Sequence, residues 1–248
     1  MRADREALAK MRRAGAVVAD MHRAVREAAV AGVSTSHLDQ LAASVLTSRH
    51  ATSNFLGYGR PPYPAVTCMS VNEVVVHGIP DERVLQQGDL LSVDCGAVVD
   101  GYHGDAAFSM AIGRADAATS RLLEVTEAAL AQAIGVIAPG VRLNEIGRAV
   151  QRAVEAAGLH VVDGYCGHGI GTAMHEPPDV LNYWPGRGGP RLAEGMTLAI
   201  EPMVAVGTPD TFVAGDGWSV VTADGSRSAH FEHTVVVTDR GAEVLTRL

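Results

Sequence analysis

The chain has 248 residues, 47% of them hydrophobic, with 27 glycines and a formal net charge of −8; this composition suits a compact fold with a large core and excludes disorder. No basic tract offsets the acidic balance, which argues against nucleic acid or an anionic membrane as the main partner, and no apolar run is long enough for a transmembrane helix. Met1-Arg-Ala-Asp-Arg-Glu6 lacks the apolar stretch of a secretory signal, and Cys68, Cys95 and Cys166 are too scattered for a disulfide framework or a zinc ribbon, so a cytoplasmic protein with reduced thiols is expected.

Residues 3 to about 31 place Met11, Ala14, Val18, Met21 and Val25 on one helical face, with Gly15 as an internal weak point and Gly32 near the end. Ser34-Thr35-Ser36 offers N-cap hydroxyls for a second helix over 36–48 carrying Leu38, Leu41 and Val45. The stretches 66–76, 88–99 and 104–112 are β-branched or apolar between Gly and Pro breaks and predict strands. Helices are predicted at 115–136 and 143–157, divided by Pro139-Gly140, and further strands at 196–206 and 230–238. Two helices followed by strands, twice over, predict two similar halves of a mixed α+β fold. Gly88-Asp-Leu-Leu-Ser-Val-Asp94 and Gly195-Met-Thr-Leu-Ala-Ile-Glu201 echo each other, ending both times on a carboxylate. No low-complexity linker divides the halves, so 1–248 is expected to be one domain, with the helical segment 1–48 packed on it.

The segment Leu90 to Asp105 reads as a hairpin turning at Asp100-Gly101. That register sets Asp94 opposite Ala107 and makes Asp105 its diagonal neighbour, so both carboxylates share one face. Glu201 ends one apolar strand and Glu232 heads another, while His168 lies in Cys166-Gly-His-Gly-Ile-Gly171, read as a glycine-rich loop. Alternation turns His233 away from Glu232 and marks it as structural. His22, His37, His50, His103, His160 and His230 have no context that sets them apart. If Asp94, Asp105, His168, Glu201 and Glu232 converge, their negative charge needs two divalent cations to neutralise it. Oxygen-dominated ligation with one nitrogen suits Mn, Fe(II) or Co, is compatible with Zn and disfavours Cu. Carboxylates bridging two such ions would hold and acidify a water between them, which is hydrolytic machinery.

Several stretches resemble the type I bacterial methionine aminopeptidases: Ser70-Val-Asn-Glu-Val-Val-Val-His-Gly-Ile-Pro80, Asp94 with Asp100-Gly-Tyr-His-Gly-Asp105, Tyr165-Cys-Gly-His-Gly-Ile-Gly171, Met174-His-Glu-Pro-Pro178, Ala199-Ile-Glu-Pro-Met203, Gly215-Asp-Gly-Trp218 and Phe231-Glu-His-Thr234. The resemblance implies the pita-bread fold, a curved antiparallel sheet flanked by two helix pairs, as a single catalytic domain. It implies a dinuclear site in which Asp105 and Glu232 bridge both metals, Asp94 binds one, and His168 and Glu201 bind the other. Glu201 would also serve as acid and base around a metal-bridged hydroxide, with His175 on the scissile amide and His77 on the substrate. Phe55, Tyr58, Tyr63, Cys68, Met174 and Trp218 would line the methionine pocket. Phe55 stands where the family often has cysteine and Met174 where it often has an aromatic residue. The implied activity is removal of the initiator methionine from nascent chains with a small second residue, by a cytoplasmic monomer acting near the ribosome. A related Xaa-Pro aminopeptidase or dipeptidase, or a non-catalytic peptide-binding module of the same fold, are the alternatives; the second would be expected to lose ligands, and all are present here.

Overall fold

The computed structural model describes residues 3–247; the outermost positions of the expected 1–48 segment and 1–248 domain, residues 1, 2 and 248, lie outside them. In chain order the elements are α1 (Arg5–Ala28), α2 (Thr35–Ser48), β1 (Thr52–Ser53), β2 (Thr67–Val71), β3 (Val74–Val76), β4 (Leu90–Val99) and β5 (Tyr102–Ala111). Then follow α3 (Ala117–Gly135), α4 (Glu145–Ala156), β6 (His160–Val161), β7 (Gly167–Gly169), β8 (Glu176–Val180), β9 (Thr197–Ile200) and β10 (Met203–Ala205). The last are β11 (Thr211–Val213), β12 (Val220–Thr222), β13 (Ser228–His230), β14 (His233–Thr238) and β15 (Gly241–Val244).

Each predicted helix is present, and capping chemistry explains three of the starts. Asp4 Oδ1 accepts from the Ala7 amide at 2.8 Å, Ser34 Oγ from His37 at 3.3 Å and Asp116 Oδ1 from Thr119 at 2.7 Å. Met11, Ala14, Val18, Met21 and Val25 of α1 are buried as the spacing predicts. Gly15, a weak point in helix propensity, is also a contact point: a Cβ there would lie 2.0 Å from the Leu245 carbonyl oxygen, so the helix needs glycine to meet the segment just past β15.

The β4–β5 hairpin has the predicted register, with Asp94 opposite Ala107 and Gly96 opposite Asp105. Asp100 and Gly101 take φ of 49° and 75°, the doubly left-handed geometry of a type I′ turn. One antiparallel group joins β1, β4 and β2 with β5 on β4; another runs β15-β14-β9-β7-β8. Two three-stranded groups, β13-β10-β6 and β11-β12-β3, complete the set. The predicted strand at 196–206 is broken at Glu201-Pro202 into β9 and β10, and that at 230–238 at Phe231-Glu232. Proline cannot donate to a ladder, which accounts for the first break.

The two larger groups meet along β5 and β14. The Glu232 amide donates to Ala107 O at 2.9 Å, Thr234 Oγ1 donates to Asp105 O at 2.8 Å, and the Asp105 amide donates back to Thr234 Oγ1 at 3.0 Å. This seam carries Asp105 and Glu232 to one place. Behind it, the main apolar cluster draws on α1, α2, α3, α4 and both sheets. No helix among the described residues is long and apolar enough to cross a membrane.

Candidate active site

A single cavity of about 110 Å³ is lined by Asp94, Asp105, His168, Glu201 and Glu232, by His77 and His175, and by Phe55, Tyr58, Tyr63, Cys68, Met174 and Trp218. Every residue singled out from the sequence as a ligand, a catalytic group or pocket lining therefore meets in one place. The carboxylates form its floor and the aromatic and sulfur side chains one wall.

His168 corrects its sequence reading: it stands on β7, between β8 and β9, rather than in a loop. Glycine makes the fit, since a Cβ at Gly167 would lie 2.3 Å from the Ala199 carbonyl oxygen. His168 Nδ1–H donates to Gly169 O at 2.9 Å, which leaves the Nε2 lone pair facing Glu201 Oε1 at 3.4 Å. Burial, reinforced by His175, lowers the His168 pKa to about 4.

The carboxylates are set against one another. Burial pushes Asp94 up to about 7, against the lowering effect of a hydrogen bond with Asp105. Asp105 is raised well above the carboxylate range by burial, then by Asp94 and Glu201. Glu201 is raised by burial and by Asp94, and Glu232 by burial, Asp105, Glu201 and Asp94. Asp94 Oδ1, Asp105 Oδ1 and Glu232 Oε1 are buried with no hydrogen-bond partner. Buried acceptors without donors are costly and rare. Asp105, His168 and Glu232 each offer a ligand atom within 4.8 Å of the others'. An acceptor-only cluster with a bare imidazole nitrogen fits divalent cations, since these satisfy oxygen and nitrogen lone pairs together.

His77 has φ of 60°, in the left-handed region that a non-glycine residue seldom enters. Its ring meets Trp218 and Tyr165 edge-on, each at 6.1 Å, and burial lowers its pKa to about 4. Tyr58 Oη and His175 Nδ1 share a hydrogen bond of 2.6 Å, which ties that side of the ring to the hydroxyl and leaves Nε2 as its other nitrogen. Tyr58 itself is 42% exposed, so it stands at the cavity mouth more than in the pocket wall. Phe55, Tyr63, Cys68 and Met174 form one buried cluster with Trp218 packed against it, and Tyr63 and Trp218 meet edge-on at 5.2 Å.

The structure also places residues near the site that the sequence reading passed over. His230 Nε2 lies 3.7 Å from Glu201 Oε2 and is buried without a partner. Asn54 lies against Gly96 and donates to Gly104 O beside Asp105, and Thr234 fixes the Asp105 backbone. The parity rule that set His233 aside puts 230 and 232 on a common face, so it was the signal available for His230. His233 does point away: its Nδ1 meets Thr246 Oγ1 at 2.9 Å.

The model of metallopeptidase family M24 matches residues 9–239. A methionine aminopeptidase of Clostridium acetobutylicum is 47% identical over 95% of this chain and 94% of its own length. Methionine aminopeptidase 1 of Mycobacterium tuberculosis is 49% identical over 95% of this chain and 91% of its own. Among solved structures, the methionine aminopeptidase of Thermotoga maritima superposes with a TM-score of 0.97 at 42% identity, covering 100% of this chain and 99% of that one. The prolidase of Pyrococcus horikoshii superposes at 0.80 with 19% identity and shares the fold, although this chain covers only 62% of it. The fold is thus the pita-bread fold shared by both, as the sequence implied. From the cavity's ligand chemistry and a match that runs nearly end to end, the chain belongs to metallopeptidase family M24.

Proposed function

We propose that the chain is a metal-dependent methionyl aminopeptidase that removes the initiator methionine from nascent polypeptides whose second residue is small. The carrying observation is the meeting of two unlike groups of side chains in one cavity: carboxylates with buried, unpartnered oxygens on Asp94, Asp105 and Glu232, and an apolar wall of Phe55, Tyr63, Cys68, Met174 and Trp218. A linear thioether side chain fits such a wall, since sulfur packs favourably against aromatic rings.

Two divalent ions, Co, Mn, Fe(II) or Zn, would be held by Asp94, Asp105, His168, Glu201 and Glu232. When bound, they supply a water of lowered pKa and positive charge for the scissile carbonyl oxygen. Glu201 would take a proton from the attacking water and pass it to the leaving amine. His175, tied at Nδ1 to Tyr58, presents its Nε2 side to the scissile amide. His77, held by strained backbone between Tyr165 and Trp218, orients the substrate and stabilises the developing charge. A bulky second residue would collide with the walls around these imidazoles. The chain acts as a single catalytic domain and a monomer, in the cytoplasm, on chains emerging near the ribosome.

The test is hydrolysis of Met-Ala and Met-Gly peptides beside Xaa-Pro peptides, with Mn, Co or Fe(II) under reducing conditions. Release of methionine with little Xaa-Pro cleavage is expected. Rapid Xaa-Pro cleavage without methionine release would transfer the chain to the prolidase-like activity.

A further inference from the structure

Asn54 fills a buried nook against the backbone of Gly96. The side chain is buried, 7% exposed, and lies over Gly96, the cross-strand partner of Asp105. A Cβ at Gly96 would come within 2.3 Å of Asn54 Nδ2, so the missing side chain at 96 is what lets the amide approach. The Asn54 backbone N–H donates to Gly96 O at 3.3 Å and anchors the residue there.

The amide's orientation is fixed by its partners. His103 Nδ1–H donates to Asn54 Oδ1 at 2.9 Å, so the oxygen faces His103 and both N–H groups face the hairpin. Asn54 Nδ2 donates to Gly104 O at 3.1 Å, and the amide, lying against Gly96 opposite Asp105, favours the Asp105 carboxylate, holding its pKa down against the effect of burial. His103 is clamped in turn, because its backbone N–H donates to Gly171 O at 2.9 Å. That carbonyl opens the turn in which Glu176 Oε1 accepts from Thr172 N at 2.8 Å, Thr172 Oγ1 at 3.1 Å and Ala173 N at 3.1 Å. Met174 and His175 ride on this turn.

We propose that Asn54 is a positioning residue for Asp105, oriented by His103, and that the pair ties the Asp105 carboxylate to the turn carrying His175. The inference rests on the reading that Asp105 holds metal. Its physical basis is that a ligating carboxylate binds well when one oxygen is pinned by an outer donor, leaving the other aimed at the ion. Asp105 Oδ1, buried and partnerless, is the oxygen so aimed.

The experiment is calorimetric titration of metal-free protein with Mn(II), with thermal melts as the check on folding and kcat as a second reading. Asn54→Leu keeps the volume and removes the donor; it should weaken Mn(II) binding about tenfold. His103→Ala should do the same, and His103→Asn, whose Nδ2 stands near the place of the imidazole Nδ1, should restore affinity. Because the two residues act in series, Asn54→Leu with His103→Ala should bind no more weakly than Asn54→Leu alone. Wild-type affinity in Asn54→Leu, or an additive loss in the double variant, would overturn the proposal. Should Asn54→Leu fail to fold, His103→Ala against His103→Asn decides: equal affinities in that pair would overturn it. Asp105→Asn separates the two readings: it should lose about 100-fold or more, and wild-type binding there would instead remove the metal reading on which the bridge depends.

Discussion

Tyr58 and His175 show how one hydrogen bond sets a chemical role. The 2.6 Å bond between Tyr58 Oη and Nδ1 occupies one ring nitrogen and leaves Nε2 to meet a substrate. Tyr58→Phe removes that bond, loosens the ring and should lower kcat about tenfold, the worth of roughly one hydrogen bond. Steady-state kinetics on a Met-Ala peptide would show it, with KM nearly unchanged; an unaltered kcat would remove Tyr58 from the account. Glu201→Gln keeps the shape and loses the proton acceptor, and should lower kcat by about 10²–10⁴. At this scale the sequence was informative because Asp94, Glu201 and Glu232 sit in or beside apolar strands, where a carboxylate needs a reason. Asn54 and His230 gave no such contrast, since a polar residue before a short loop or at a strand end is ordinary until its neighbours are known.

Among the elements, α1 and the β4–β5 hairpin carry the site's precision. Gly15 sits where α1 meets Leu245 and Thr246, just past β15, and helix propensity alone would favour alanine there by about 1 kcal/mol. The Leu245 carbonyl oxygen, 2.0 Å from the position of an added Cβ, reverses the sign. Gly15→Ala should therefore lower the melting temperature, by an overpacking cost of about 1–3 kcal/mol; a higher melting temperature would show that α1 can shift. The helices were legible because caps and apolar spacing are local signals, and the hairpin because Asp-Gly dictates its turn. β7 and β8 were not: Gly-His-Gly and Glu-Pro-Pro-Asp-Val have no strand propensity and become strands only through pairing with β9 and with each other. β11, β12 and β15 are three or four residues long, too short for alternation to register.

For the whole molecule, the opposed pKa shifts make stability depend on pH and metal together. Asp94, raised to about 7, keeps its proton in the folded state between roughly pH 4, its ordinary value, and 7. Its contribution is therefore present at low pH and lost as pH rises through that window, and Asp105, Glu201 and Glu232 shift in the same direction. His22, lowered to about 3 by burial, behaves oppositely: the stability it contributes above about pH 6.5 is lost as pH falls toward 3. Metal replaces the carboxylate protons, so added Mn(II) should raise the melting temperature more at pH 7.5 than at pH 5. An equal or larger rise at pH 5 would contradict the proton-linked site. The central claim, that this cluster of carboxylates and one imidazole holds the metal that methionine release requires, is tested most directly by adding Mn(II) stepwise to metal-stripped enzyme and measuring methionine freed from a Met-Ala peptide. Activity should be absent without metal and should rise with Mn(II) to saturation; full activity in the stripped enzyme, or none at saturating metal, would contradict it.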